Sequence, residues 1–228
     1  MALTRDQVLA EALRLVDDQG VDALSLRTLA ARLEVKAPTL YWHVAGKAEL
    51  VAAVSDAIVG EAIDALAEPD DGEDPLAWLG GALGGLRRAM LGHRDGARIV
   101  SGAHGSLRRA EFTERCLRRL VDGGVPRGRS WLLVLTGTRY VLGHVFAEQG
   151  DVPPGPEARG ELERCFPLLA ASVDAYFADH DADDLFRDGL DQLLGPRTDR
   201  STESGSWSSP GGGGTARSSP ERTRSRIT

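Results

Sequence analysis

A chain of 228 residues, 42% of them hydrophobic, is long enough for more than one packed unit, and its formal charge of -7 gives it no long-range attraction for a polyanion. No apolar run approaches the roughly 18 residues a membrane span needs, and Met1-Ala2-Leu3-Thr4 leads directly into a helix signal, so neither a membrane span nor a secretory signal is expected and the protein reads as cytoplasmic. The two cysteines, Cys116 and Cys165, fit reduced packing residues in helices better than a disulfide.

The first helix signal is Thr4, an N-cap whose third following residue, Gln7, completes a capping box, with Leu3 and Val8 placed as a hydrophobic staple. Val8, Ala12, Leu15 and Val16 repeat at helical spacing until Gly20 stops the segment. Ser25 caps a second helix, in which Leu26, Leu29, Ala30 and Leu33 form the apolar face and turn Arg27, Thr28 and Arg32 outward. A third, short helix is predicted over 38–44, with Pro38 in its first turn and Leu40 and Val44 facing inward. Thr39, Tyr41, Trp42 and His43 are then left outside, and adjacent rings on a small surface helix are poorly explained by solubility. Packing of Tyr41 and Trp42 into the three-helix core is the alternative. Two short helices joined by a tight turn, the second presenting such a surface, make a helix-turn-helix and point to double-stranded DNA. Residues 1–47 carry six basic and six acidic side chains, so binding would rest on a few local contacts and on two heads acting together.

Further helices are predicted at 46–67, 75–92, 94–102, 106–122, 127–149, 157–177 and 181–194, separated by Pro and Gly boundaries such as Gly123-Gly124 and Pro153-Pro154. The fold class is all-α: a helix-turn-helix head over 1–47, a helical body over 48–195, and a Ser/Gly/Pro/Arg tail over 196–228 that cannot bury a core and is expected to be disordered. Segment 127–149 carries too many apolar residues for one stripe, Trp131, Leu132, Leu135, Val141 and Phe146 among them, and 181–194 fits beside it and beside a second copy. His93-Arg94-Asp95 reads as a helix joint, with His93 and Arg94 on carbonyls at a helix C-terminus and Asp95 capping the next helix. No metal-ligand spacing, nucleophile elbow or phosphate loop is present, which speaks against an enzyme and for no cofactor and no metal.

The runs Pro38-Thr39-Leu40-Tyr41-Trp42-His43-Val44, Lys47, His93-Arg94-Asp95-Gly96-Ala97 and Val141-Leu142-Gly143-His144-Val145 with Glu148-Gln149 resemble the tetracycline-repressor family of bacterial transcription regulators, and its tetracycline-responsive branch in particular, over about residues 3 to 195. The resemblance implies a homodimer on a palindromic operator, most often a repressor, with a small-molecule effector. It implies that Arg27, beside Thr28, reads guanine, that Pro38 and Thr39 meet base edges, and that Tyr41, Trp42, His43 and Lys47 grip phosphates. Ala37 stands where the branch commonly has a base-reading glutamine, and Glu34 stands where the turn often has glycine, which costs on the order of 1 kcal/mol if that residue is left-handed.

The same resemblance locates an effector cavity lined by Ile63, Ala82, Leu86, Val100, Ala103, Cys116 and Leu135, with Leu142 beside them and His104, Thr136, Arg139 and His144 as polar anchors. Val100, Ala103 and Ala147 replace the side chains that hold metal and water in the branch, and Ile63, Ala82, Leu86 and Arg139 replace its polar drug contacts. The expected effector is therefore largely apolar, with an acidic group for Arg139, and not magnesium-tetracycline. A regulator that needs no ligand and an enzyme on a helical scaffold remain as alternatives at this point.

Overall fold

The computed structural model describes residues 3–70, 72–103, 106–150 and 155–195, all of them helix, turn or loop. The tail expected to be disordered, 196–228, and the Pro153-Pro154 boundary lie outside the described residues.

Helix α1 (Arg5–Gln19) starts as its first residues dictate: the Thr4 hydroxyl accepts from the Gln7 amide at 3.2 Å, and the Gln7 side chain accepts from the Thr4 amide at 2.9 Å. Its apolar face, Val8, Ala12, Leu15 and Val16, is fully buried. Gly20 ends it at φ 85 and opens a 3-10 turn over Val21–Ala23. Helix α2 (Leu26–Arg32) is capped by Ser25, whose hydroxyl accepts from the Thr28 amide at 3.0 Å. The turn after it closes by two backbone bonds, Val35 N–H to the Ala30 carbonyl at 3.0 Å and Glu34 N–H to the Ala31 carbonyl at 3.3 Å, a pattern that needs its middle residue left-handed. That residue is Glu34, at φ 55.

Helix α3 (Ala37–Leu40) is shorter than the predicted 38–44. The amides of His43 and Val44 both donate to the Leu40 carbonyl at 2.9 Å, so the chain tightens into a turn once Leu40 is in place. Leu40 and Val44 are buried as their spacing required, whereas Tyr41, Trp42 and His43 project from this turn instead of a helix face. Arg32 also departs from the expectation of a free outward side chain: it bridges Glu11 at 2.6 Å and Asp18 at 2.8 Å, tying α2 to α1.

Helix α4 (Lys47–Asp64) is the central strut, packed by α1 on one side and by α5 (Pro75–Leu91), α6 (Gly96–Gly102) and α7 (Leu107–Asp122) on others. Its buried residues, among them Leu50, Val54, Ile58, Val59 and Ile63, run through both regions and join them in one core. Helix α8 (Arg127–Gly150) lies across α5, α6 and α7, and α11 (Ala182–Leu194) packs on α8 and α5. At the crossing of α5 and α8, Gly137 admits Leu83, whose Cδ1 would stand 2.5 Å from any Cβ there.

The continuous helix expected at 157–177 is two helices, α9 (Pro156–Cys165) and α10 (Pro167–Phe177). Pro167 has no amide to donate and its ring excludes a helical residue before it, so Phe166 turns away at φ -134, ψ 60 and a new helix begins. Apolar spacing runs through the break and cannot report it.

One ion-pair cluster fastens α11. Arg87, 8% exposed, holds Glu148 of α8 by both carboxylate oxygens and Asp183 of α11 at 2.6 Å, and its guanidinium lies 4.8 Å from the Phe186 ring centre. The Glu148 carboxylate, then Asp183, outweigh burial and raise the Arg87 pKa above its ordinary value. Arg87→Ala strands Glu148 in a largely buried place and is expected to lower the unfolding free energy by about 3 kcal/mol in urea denaturation; a change within experimental error would show that the cluster is not stabilising. In the opposite direction, Glu34→Gly relieves a left-handed residue and should raise stability by about 0.5 to 1 kcal/mol in the same assay.

Candidate nucleic-acid interface and internal cavity

Helices α2 and α3, which pack on one another, and the turn after α3 carry most of the expected DNA-contacting residues. Arg27, Pro38, Thr39, Tyr41, Trp42 and Lys47 are exposed, and Ala37, Thr28 and His43 are half-buried. Arg27 makes no hydrogen bond or ion pair within the described residues, in contrast to Arg32 one turn later. The Thr28 hydroxyl is shared with Ser25 at 2.7 Å, so Thr28 serves the start of α2 first. Trp42 is 89% exposed and Tyr41 58%, which excludes their packing into the three-helix core. Large rings held out in water on a turn, beside a free arginine, are suited to lie along a polyanionic backbone.

The head is locked to the body at the end of α1, through the joint His93-Arg94-Asp95. Asp95, left-handed at φ 58, precedes α6 but does not cap it with its side chain; its carboxylate accepts from the Val21 amide at 2.9 Å and from Arg98 at 3.2 Å. His93 does not meet helix-end carbonyls either. Its two ring nitrogens stand 3.1 Å from Asp17 of α1 and 3.1 Å from Glu61 of α4. Arg94 does meet a carbonyl, that of Asp18, at 3.3 Å, and Arg98 pairs with Asp22 at 3.1 Å. The Arg98 guanidinium beside it holds the Asp22 carboxyl below its usual value.

Two glycines let this joint close. A Cβ on Gly20, itself at φ 85, would fall 2.8 Å from the Asp95 carboxylate, and one on Gly96 would fall 2.1 Å from the Met90 carbonyl. From the far side, the Gln149 side chain of α8 donates to the carbonyls of Met90 and His93 at 3.1 and 2.8 Å and accepts from the Ala97 amide at 3.2 Å. Four helices thus converge on six residues of chain.

At the other end of α6 lies a cavity of about 520 Å³, walled by α4, α5, α6, α7 and α8. Four of the expected lining residues meet there: Leu86, Val100, Ala103 and Leu135. Ile63 and Cys116 are instead sealed in the core, and burial pushes the Cys116 thiol up to about 12. Ala82 borders a separate cavity of about 200 Å³ between α4 and α5. Arg139 is exposed and outside the wall, because one residue after Thr138 the helix has turned by about 100°. Leu142, Thr136 and His144 are not in the wall, and His104 lies outside the described residues.

The polar groups that do line the cavity are Ser106, Arg109, Thr113, Glu114 and Thr138, with Trp131 and Phe112 as its rings. Sequence reading missed Arg109 and Thr113, although they recur four apart on α7 next to the buried stripe Phe112, Cys116 and Leu120. Among the described residues no group of three or more His, Cys, Asp or Glu side chains is placed to hold a metal ion.

An all-helical protein with an exposed helix-turn-helix joined to a helical body containing a ligand-sized cavity belongs to the one-chain transcription regulators, and comparison with known proteins gives the family. Residues 8–54 match the model for bacterial regulatory proteins of the tetR family, and residues 68–195 match the tetracyclin repressor-like C-terminal domain. The tetracycline repressor protein class A from transposon 1721 of Escherichia coli is 34% identical over 190 residues, covering 82% of this chain and 87% of that protein. A possible TetR family transcriptional regulator from Streptomyces coelicolor A3(2) superposes with a TM-score of 0.73 at 28% identity, covering 84% of this chain and 97% of that one. BioQ in complex with its natural double-stranded DNA operator superposes with a TM-score of 0.58 at 32% identity, covering 75% and 99%. The chain belongs to the TetR family and is a DNA-binding transcription regulator.

The joint makes a prediction independent of DNA. Asp95→Ala removes the acceptor of the Val21 amide and leaves a left-handed alanine, and is expected to cost about 2 kcal/mol in chemical denaturation, whereas Asp95→Asn keeps both features and should cost less than half of that.

Proposed function

We propose that this chain is a homodimeric repressor that leaves a palindromic operator when a largely apolar small molecule, other than magnesium-tetracycline, fills the cavity between α4, α5, α6, α7 and α8. The division of labour runs as the sequence suggests: residues 1–47 hold DNA, and 48–195 bind effector and partner. The observation that carries this reading is the arrangement along α6, whose first residue follows the joint that fastens the head and whose last turn walls the cavity. Seven residues separate the two, about 10 Å of helix.

On the DNA side, Arg27 has the free guanidinium needed for a bidentate guanine contact, and Tyr41, Trp42, His43 and Lys47 supply the backbone grip. Dimerisation is supported by apolar side chains that α8 and α11 leave in water, Leu132, Phe146 and Leu185 among them. Two-fold symmetry would then set the recognition helices about 34 Å apart, one turn of DNA. Exclusion of magnesium-tetracycline is supported by Val100 and Ala103, which stand in the cavity wall and whose side chains offer a hard cation no oxygen or nitrogen. An occupant that moves α6 acts on Asp95 and His93 together, and so on the end of α1; α4, which contributes Val59 to the wall and Glu61 to the joint, shares the load.

Footprinting on DNA from beside its own gene tests this directly. The expected result is a protected palindrome, lost on adding apolar antibiotics and kept with magnesium-tetracycline. Release by magnesium-tetracycline would overturn the effector reading, and the absence of any protected site would overturn the repressor reading. Arg27→Ala should weaken the specific site by roughly 10- to 100-fold, and Trp42→Ala should weaken specific and nonspecific DNA alike.

A further inference from the structure

We propose that the effector is an organic acid, a flat apolar body carrying one carboxylate or equivalent anion, and that Arg109 is the residue that receives its charge. The inference rests on the reading of the cavity as the effector site and adds its chemical class.

Arg109 is a half-buried cation in a wall that is otherwise mainly apolar. It forms no ion pair among the described residues: Glu111 is taken by Arg108 and Arg115, and Asp56, which accepts from the Ser106 hydroxyl, makes no ion pair with it. The other charged group of the wall, Glu114, accepts from Arg118 at 3.0 Å on the exposed side of α7. A guanidinium withdrawn from water without a counter-charge is destabilised, and an anionic ligand relieves that cost.

Its geometry is already set for the task. One terminal nitrogen, Nη1, donates to the carbonyl of Val100 at 3.1 Å and to that of Ala103 at 2.9 Å, which fixes the plane of the group. The Nε and Nη2 edge makes no hydrogen bond among the described residues and so presents two parallel donors, the fork that a carboxylate accepts in bidentate fashion. Holding the side chain beforehand lowers the entropic cost of binding. Thr113 and Thr138 add hydroxyls, Phe112 and Trp131 add rings for a flat body, and about 520 Å³ admits a molecule of two to four rings. Because the two carbonyls that hold Arg109 end α6, the ligand's charge arrives at the helix whose other end carries the joint.

The test uses two fluorescent probes with the same ring skeleton, 1-anilinonaphthalene-8-sulfonate, which is anionic, and N-phenyl-1-naphthylamine, which is neutral, titrated into the full-length protein. The anionic probe is expected to bind roughly tenfold more tightly than the neutral one. Arg109→Gln should abolish that preference while changing neutral-probe affinity less than about twofold, Arg109→Lys should restore part of it, and Glu114→Gln should strengthen anionic binding. Circular dichroism on each variant checks that it folds, and Ala110→Trp, which fills the cavity, must displace both probes. Equal affinity for the two probes, or a preference that survives Arg109→Gln, overturns the acid proposal while leaving a neutral effector site intact. Binding of neither probe, or binding that persists in Ala110→Trp, overturns both the acid proposal and the cavity reading.

Discussion

The structure depends on how the end of α1 is held. An isolated three-helix head of some 45 residues buries too little surface to be rigid alone, and here the end of its first helix is gripped by charged groups from the body. Asp95 takes the Val21 amide, His93 stands between Asp17 and Glu61, and Arg98 pairs with Asp22. Each contact is partly exposed and weak alone. Together, with Gly20 and Gly96 allowing backbones to approach, they hold the end of α1 to the body just before α2 begins.

That arrangement makes α6 the short link between two surfaces with unmet demands. One is the exposed turn with Trp42 and Tyr41, rings that gain little from water; the other is a cavity whose wall includes an arginine without a counter-ion among the described residues. Gln149 of α8 clasps the joint from behind, so α8, which leaves apolar side chains exposed, is tied into the same unit.

Much of the head was legible before any coordinates. The Thr4 and Gln7 box, the Ser25 cap and the inward Leu40 and Val44 follow from local hydrogen bonding and spacing, whereas Glu34 stood out only because the resembling family often has glycine there, and its left-handed backbone is seen in the structure. The body was legible as helices but not as a site. A family correspondence carries a position over without showing which neighbours surround it in this chain, so Arg139 was assigned to a cavity that Arg109 lines, and Ile63 and Cys116 were assigned to a wall when they are core. The break at Pro167 was hidden by apolar spacing that continues across it. The partners of His93, and the Val21 amide that Asp95 accepts from, lie more than 30 residues away in sequence and could not be inferred from their own neighbourhood.

The claim that most needs testing is that the cavity and the head are felt by one another through α6. Hydrogen exchange of the Val21 amide, which donates to Asp95, reads this contact directly. The account predicts that saturating the cavity with 1-anilinonaphthalene-8-sulfonate speeds exchange at Val21 and its neighbours in the 20–23 turn while the core amides of α4 stay protected. Unchanged exchange at Val21, with the probe bound by its fluorescence, would contradict it.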